Sequence, residues 1–282
     1  MKINVLIPTR GRPLQLAAAL YSLFFCASDK HDITFCVACD DDDEPTKLAL
    51  REMRQSHLPV FIRIGPRPET LGSVANDLAV HWPADVHQIF ADDLICITHG
   101  WDEILAQAVE KTPHGVFWMK SAKEQRSLVP AVTEKWRAAA GEIFTEYFPY
   151  WFDDLWLEEL WVMATGEEPI SLDTLVVDRP ASTHSMRELS FWARFYHAMR
   201  SERLERGRRI AGALNLPEPA FARMVSDEFA KRMDTYPPLN EKDAAKIEAS
   251  NKAETTPPSE RYLRVKAKAE ELMKMRVARI AA

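Results

Sequence analysis

The sequence predicts an α/β fold: a mostly parallel sheet flanked by helices, followed by a helical C-terminal extension. Two observations carry this expectation. Short apolar runs alternate with amphipathic segments of helix length through about residue 120, and after about residue 185 the composition becomes helical and basic. Residues 3–7 read as the first strand, and Pro13, favoured in the first turn of a helix, opens a helix to about residue 25. A strand over 33–39 precedes a helix over 44–55, and a strand over 60–64 precedes a helix over 71–80. Residues 87–91 and 116–119 are the fourth and fifth strands, with a helix over 101–109 between them. In such sheets ligands bind beyond the carboxyl ends of the strands, which says where to look for chemistry.

Residues 186–214, 219–233 and 259–280 are helical in composition, with linkers at 236–238 and 251–258. We therefore expect a catalytic domain over 1–185 and a helical region over 186–282. Residues 1–180 carry 16 Lys and Arg against 28 Asp and Glu, whereas 181–282 carry 20 against 14. The overall charge of −6 thus hides an acidic body and a basic tail. Arg200, Arg203, Arg206, Arg208 and Arg209 lie on one segment of that tail. They are candidates for a polyanionic partner, or form a solvated helix interleaved with Glu202 and Glu205. The helix over 259–280 is amphipathic and either packs on the body or pairs subunits into a homo-oligomer.

Composition excludes several classes. Nine glycines in 282 residues is about 3%, against roughly 7% in ordinary chains. No G-x-G occurs, and Gly207 and Gly212 are followed by Ala213 and Leu214. Both the dinucleotide fingerprint and the P-loop are therefore absent. No uncharged apolar run approaches the ~18 residues of a membrane span. The opening MKINVLIPTRGRP is too short in its apolar run for a signal peptide, so a cytoplasmic location is expected. Cys36 and Cys39 form a C-x-x-C, but on a strand an offset of three places them on opposite faces. Buried core cysteines are expected rather than a metal or redox pair.

Acidic clusters follow the second and fourth strands: Asp40-Asp41-Asp42-Asp43 and Asp92-Asp93. A third, Asp153-Asp154, stands in the aromatic segment FPYWFDDLWLEEL. Carboxylates at strand ends point into the crevice of an α/β sheet, and hard cations such as Mg²⁺ or Mn²⁺ take one or two of them together with phosphate oxygens. Each cluster alone is equally a turn or a helix cap.

Taken in order, these segments resemble the nucleotide-sugar glycosyltransferases of the GT-A fold, close to the large family-two group, over roughly residues 1–190. The opening 3–13, with Pro8, Thr9, Arg10 and Arg12, is similar to that family's first strand and nucleotide-contacting turn. Asp40 and Asp41 match the aspartate that receives the base's imide N–H. Gly72 and Asn76 lie on the helix that passes near the nucleotide. Phe90-Ala91-Asp92-Asp93 matches the metal-binding D-x-D region, and Thr98-His99-Gly100-Trp101-Asp102 is usual after it. Asp153-Asp154 falls where the family places its catalytic base, and His184 where many members supply a late metal-binding histidine. Ala91 departs from the first D-x-D position and leaves most of the metal load to Asp93. If the strand continued through Asp92 and Asp93 they would face opposite ways, and one alone would be a direct ligand. No Q-x-x-R-W acceptor motif follows.

The resemblance implies Mn²⁺- or Mg²⁺-dependent transfer from a nucleoside-diphosphate sugar, expected to be UDP-linked, with inversion. Asp93 and His184 would hold the metal, and Asp154 or Asp153 would deprotonate the acceptor. From the residues themselves, Arg10 and Arg12 are either phosphate or base contacts or simply exposed turn arginines. Asp153 and Asp154 also suit a helix start. Eight aromatics lie between 144 and 161. Among them Tyr150, Trp151 and Phe152 are the acceptor-site candidates, and Trp156 and Trp161 are expected in the core. The acceptor is open between DNA with hydroxylated bases and a glycan. The alternatives are a sugar-phosphate nucleotidyltransferase, disfavoured by the single glycine of PTRGRP, and an inactive nucleotide- or carbohydrate-binding module.

Overall fold

The computed structural model describes residues 1–56, 58–122, 127–149, 151–178, 187–217, 242, 245 and 258–281. These form two compact units, each with its own core. The described residues of Met1–Pro68, Ser73–Phe144 and Pro169–Ser182 make the first, and those of Glu69–Gly72, Thr145–Glu168 and Thr183–Ala282 the second. The segment carrying Asp153 and Asp154 thus packs with the C-terminal helices.

The first unit holds β1 (Lys2–Thr9), α1 (Pro13–Cys26), β2 (Asp32–Asp40), α2 (Glu44–Gln55), β3 (Val60–Gly65), α3 (Leu71–His81) from Ser73 onward, β4 (Val86–Ile89), β5 (Leu94–Cys96), α4 (Trp101–Lys111), β6 (Val116–Ser121), β7 (Ser127–Thr133), α5 (Glu134–Ala140) and β8 (Ile170–Asp178). The strand order is β3-β2-β1-β4-β7-β6-β8-β5. The first four strands are parallel to one another, as the alternating pattern predicts. The rest is mixed: β7 is antiparallel to β4 and β6, β6 and β8 are parallel, and β5 is antiparallel to β8. The sheet is therefore less parallel than its sequence suggests.

One face of β1 and β2, with Ile3, Val5, Ile7, Phe35, Val37 and Cys39 at no more than 2% exposure, packs in a core with Leu16, Leu20 and Leu23 of α1. Cys36 alternates to the other face, as the strand period requires, and all four cysteines are buried free thiols. Burial pushes Cys36 up to about 12 and Cys39 to about 11, which suits inert core residues rather than ligands or nucleophiles. The Gly100-Trp101-Asp102 stretch also serves packing. Gly100 caps α4 in the left-handed region, Trp101 is fully buried with its Nε1–H on the Leu23 carbonyl (2.9 Å), and Asp102 accepts from the Ser28 amide (2.8 Å) and hydroxyl (2.7 Å).

The second unit contains α6 (Asp153–Thr165), α7 (Leu189–Ala198), α8 (Arg200–Ala213) and α9 (Glu260–Ala281). Its core is aromatic: Phe148 contacts the rings of Phe152, Trp156, Trp192, Phe195 and Tyr196. Trp156 and Trp161 are buried, as expected. The apolar stripe of α9, Tyr262, Val265 and Ala269, is buried within this unit, where α9 packs on α7. Packing on α7 within this unit therefore buries that stripe.

The basic segment on α8 divides. Arg200, Arg208 and Arg209 are exposed, but Arg203 is 1% exposed, ion-paired with the buried Glu159 and lying 3.8 Å over the Tyr196 ring. Arg206 pairs with Glu202 (3.0 Å) and donates to the Tyr147 hydroxyl (3.0 Å). The five arginines are thus not one anionic-partner surface. Arg203→Ala leaves Glu159 buried and unpaired and is expected to cost about 3–5 kcal/mol, whereas Arg203→Met with Glu159→Leu recovers most of that loss. Urea unfolding midpoints of the wild type and the two variants check this.

Candidate active site

Because β2, β1 and β4 are adjacent and parallel, their carboxyl ends share one edge of the first unit. The β1–β4 register ends at Leu6↔Ile89. Pro8 lies beyond it with the parity that points toward β4, so its missing N–H costs no ladder bond. The chain then turns through Arg10-Gly11-Arg12. Gly11 has φ +65°, the left-handed region glycine enters freely, and its N–H donates to Asp43 Oδ2 at 2.5 Å. Leu16 N–H closes the first bond of α1 on the Arg12 carbonyl (2.9 Å). The turn backbone is held at both ends, while its two arginine side chains reach in different directions.

Arg10 meets the aspartates after β2. Its Nη1 lies 2.6 Å from Asp40 Oδ2 and 2.5 Å from Asp42 Oδ1, and its Nη2 lies 2.9 Å from Asp42 Oδ2. Hydrogen bonds to Asp42 and then Asp40 raise Arg10 further, and the Arg10 bond lowers Asp42. The four consecutive aspartates have four different roles. Asp40 is buried, and Arg67 approaches its carboxylate as well (3.8 Å). Asp41 is exposed and bonds through its backbone, the amide to Gly65 O and the carbonyl to Lys47 Nζ. Asp42 is an exposed partner of Arg10. Asp43 is the N-cap of α2, accepting from Thr46 N–H, and it also holds the Gly11 amide. Burial opposes its charge, but the bonds from Gly11 and Thr46 outweigh that and lower its carboxyl.

Arg12 meets the aspartates after β4. The strand has ended by Ile89, so Asp92 and Asp93 lie in the turn before β5 rather than alternating on a strand. Arg12 Nη1 is 3.1 Å from Asp92 Oδ1 and 2.9 Å from Asp93 Oδ2. Both carboxylates therefore face one point, which corrects the opposite-face expectation. The Thr9 hydroxyl donates to the other Asp92 oxygen at 2.8 Å. Burial raises the Asp92 carboxyl, and the Thr9 bond and Arg12 only partly offset it.

The remaining candidates are placed as follows. Gly72 is buried on α3. The Asn76 side chain holds a backbone segment, accepting from Ile143 N–H (2.8 Å) and Phe144 N–H (3.3 Å) and donating to Phe144 O (2.9 Å). In the second unit, Phe152 occupies the N-cap position of α6 with φ +74°, a costly conformation for a bulky residue. Asp153 and Asp154 follow as the first helical residues, where the backbone amides favour acidic side chains. Asp153 is buried, and Asp154 is half-buried with Oδ1 accepting from Leu155 N–H (2.9 Å). Phe152 is 8% exposed and stacks on Tyr196, so its ring serves the core; Trp151 is half-buried. Tyr150 and His184 lie outside the described residues. Among the described residues no group of three or more His, Cys, Asp and Glu forms a metal cluster, and no helix is long and apolar enough to cross a membrane.

Sequence reasoning missed the pairing of Arg12 with Asp92 and Asp93, the hold of Asp43 on Gly11, and the approach of Arg67 to Asp40. The only signal for Arg67 was a basic residue after the strand that neighbours β2.

This architecture has known counterparts. A mannosyltransferase from Pyrobaculum calidifontis, solved with GDP-Man and Mn²⁺, aligns with TM-score 0.55 and 15% identity over 87% of this chain and 86% of that one. S. aureus TarS 1–349 with UDP-GlcNAc aligns with TM-score 0.56 and 12% identity, covering 89% and 80%. GalNAc-T7 with UDP, GalNAc and Mn²⁺ aligns with TM-score 0.60 and 12% identity, covering 84% of this chain and 59% of that one. The chain has the GT-A glycosyltransferase fold. No family model matches the sequence, and no curated protein matches it. The GT-A likeness therefore rests on three-dimensional structure, at identities that sequence comparison does not reach.

Asp43→Ala removes both the cap of α2 and the anchor of the Gly11 turn, and is expected to cost about 1–2 kcal/mol at neutral pH. A carboxyl lowered in the folded state contributes fully above its unfolded value, about 4, and loses its contribution as pH falls through the folded value. The stability gap between wild type and variant, from urea unfolding at several pH values, should therefore be full at pH 6 and shrink below about pH 4.

Proposed function

We propose that the protein is a glycosyltransferase that moves a sugar from a nucleoside-diphosphate donor, UDP-linked in our reading, to an acceptor hydroxyl with inversion. The observation that carries this is the convergence of Asp92 and Asp93 on one point at the carboxyl edge of the parallel strands, beside Thr9 and Arg12. It is supported by a fold whose solved counterparts hold GDP-Man or UDP-GlcNAc. The edge would take the nucleotide: Asp40 and Asp41 toward the base, and Arg10 and Arg12 toward the diphosphate, since the guanidinium fork suits phosphate oxygens. Gly72 and Asn76 would border the nucleotide, Asn76 by fixing the 143–144 backbone rather than by direct contact.

Two carboxylates converging on one cationic group are a donor set that, completed by substrate phosphate oxygens, fits Mn²⁺ or Mg²⁺. Asp93 and Asp92 would hold the ion, with His184 as a further ligand. The ion would neutralise charge on the departing diphosphate. Asp154, or else its neighbour Asp153, would take the proton from the acceptor hydroxyl as the acceptor oxygen bonds to the anomeric carbon and the bond to the diphosphate breaks. Trp151, just before this pair, would offer an aromatic face to the acceptor, a glycan or a hydroxylated base.

Incubation with Mn²⁺ and a panel of UDP- and GDP-sugars should release nucleoside diphosphate. Asp154→Asn should lower kcat about 10²–10⁴-fold with donor KM little changed. Release of pyrophosphate would instead indicate a nucleotidyltransferase. An Asp154→Asn and Asp153→Asn pair both turning over at the wild-type rate would remove the proposed base.

A further inference from the structure

Arg12 stands where a cation would stand. Its single Nη1 bridges one oxygen of Asp92 and one of Asp93, at 3.1 and 2.9 Å, and among the described residues these are its only side-chain partners. The two carboxylates are largely shielded, with 9% and 13% of their side chains exposed, and two like charges so close need a positive partner. Arg12 itself is 32% exposed, more than either carboxylate.

We propose that Arg12 is an internal counter-ion that exchanges with the divalent cation: its guanidinium holds Asp92 and Asp93 together before loading, and leaves them for donor phosphate when the cation arrives. This rests on the reading of Asp92 and Asp93 as the metal carboxylates.

Three features make the exchange a side-chain movement. The backbone on either side of Arg12 is fixed, with the Gly11 amide on Asp43 and the Arg12 carbonyl closing the first bond of α1. Asp92 keeps its place without Arg12, because the Thr9 hydroxyl holds its second oxygen. An arginine freed from two carboxylates keeps a planar fork of donors, which suits the phosphate oxygens that accompany the metal. Cation alone must displace Arg12 without supplying the guanidinium a new anionic partner, whereas cation with nucleoside diphosphate supplies both exchanges. Metal and nucleotide should therefore bind cooperatively, and the coupling should run through Arg12.

The test is Mn²⁺ binding, followed by the paramagnetic signal of the free ion and by calorimetry, with and without UDP or GDP. The proteins are the wild type, Arg12→Ala, Arg12→Gln and Asp93→Ala. Arg12→Gln keeps hydrogen-bond donors beside the carboxylates, so that a folding defect in Arg12→Ala does not decide the result. Without nucleotide, both Arg12 variants are expected to bind Mn²⁺ about tenfold more tightly than the wild type. The enhancement that nucleotide brings to the wild type should be largely lost in them, and Asp93→Ala should bind weakly throughout. Equal or weaker Mn²⁺ affinity in both folded Arg12 variants without nucleotide, with wild-type binding intact, overturns the exchange and leaves the metal assignment standing. Absence of Mn²⁺ binding to the wild type even with nucleotide overturns both.

Discussion

Carboxylates crowded at the carboxyl ends of adjacent parallel strands repel one another, and in this fold Arg10 and Arg12 answer that repulsion. Both come from the single turn after β1, the strand that lies between β2 and β4. One arginine is spent on each side: Arg10 on Asp40 and Asp42, Arg12 on Asp92 and Asp93. The strand order puts the two cations between the two acidic loops. The turn keeps its shape because Gly11 accepts a left-handed conformation and Asp43 holds its amide. Asp43 also starts α2, so one residue couples the helix start to the arginine turn.

The same arrangement bears on how a diphosphate would be handled. A chain with nine glycines and neither G-x-G nor a P-loop cannot cradle phosphate on glycine backbone. On the proposed reading, arginine forks and a carboxylate-held cation do that work, and the carboxylates are paired with arginine until substrate comes. In the second unit, charge serves a different end. Arg203 and Glu159 are buried together among aromatic rings, where the pair fixes α8 against α6 rather than meeting a ligand.

Much of the first unit was legible because its signals are local. Apolar runs bounded by helix-period segments mark β1 to β4 and α1 to α4 within a few residues. The misses are elements whose identity depends on distant partners. β5 has three residues, too few to show a period. β7 carries Pro130, which argues against a central strand; the structure accommodates it where pairing with β4 stops, and Gln88 Nε2 there donates to the Pro130 carbonyl (3.0 Å). The acidic clusters were visible as candidates, but their division was not. Nothing in a run of four aspartates says that Asp43 caps a helix while Asp40 meets Arg10. Asp92 and Asp93 looked opposed on a strand because its end at Ile89, three residues before Asp92, has no sequence mark. Arg203 read as surface because its partner Glu159 lies 44 residues away.

The most direct test of the central claim is anomalous diffraction at the manganese edge from crystals grown with Mn²⁺ and UDP. The account predicts a manganese peak against the Asp92 and Asp93 carboxylates, with the diphosphate on the same ion and the base toward Asp40. A manganese peak elsewhere, with nucleotide bound away from the carboxyl ends of β1, β2 and β4, would contradict it.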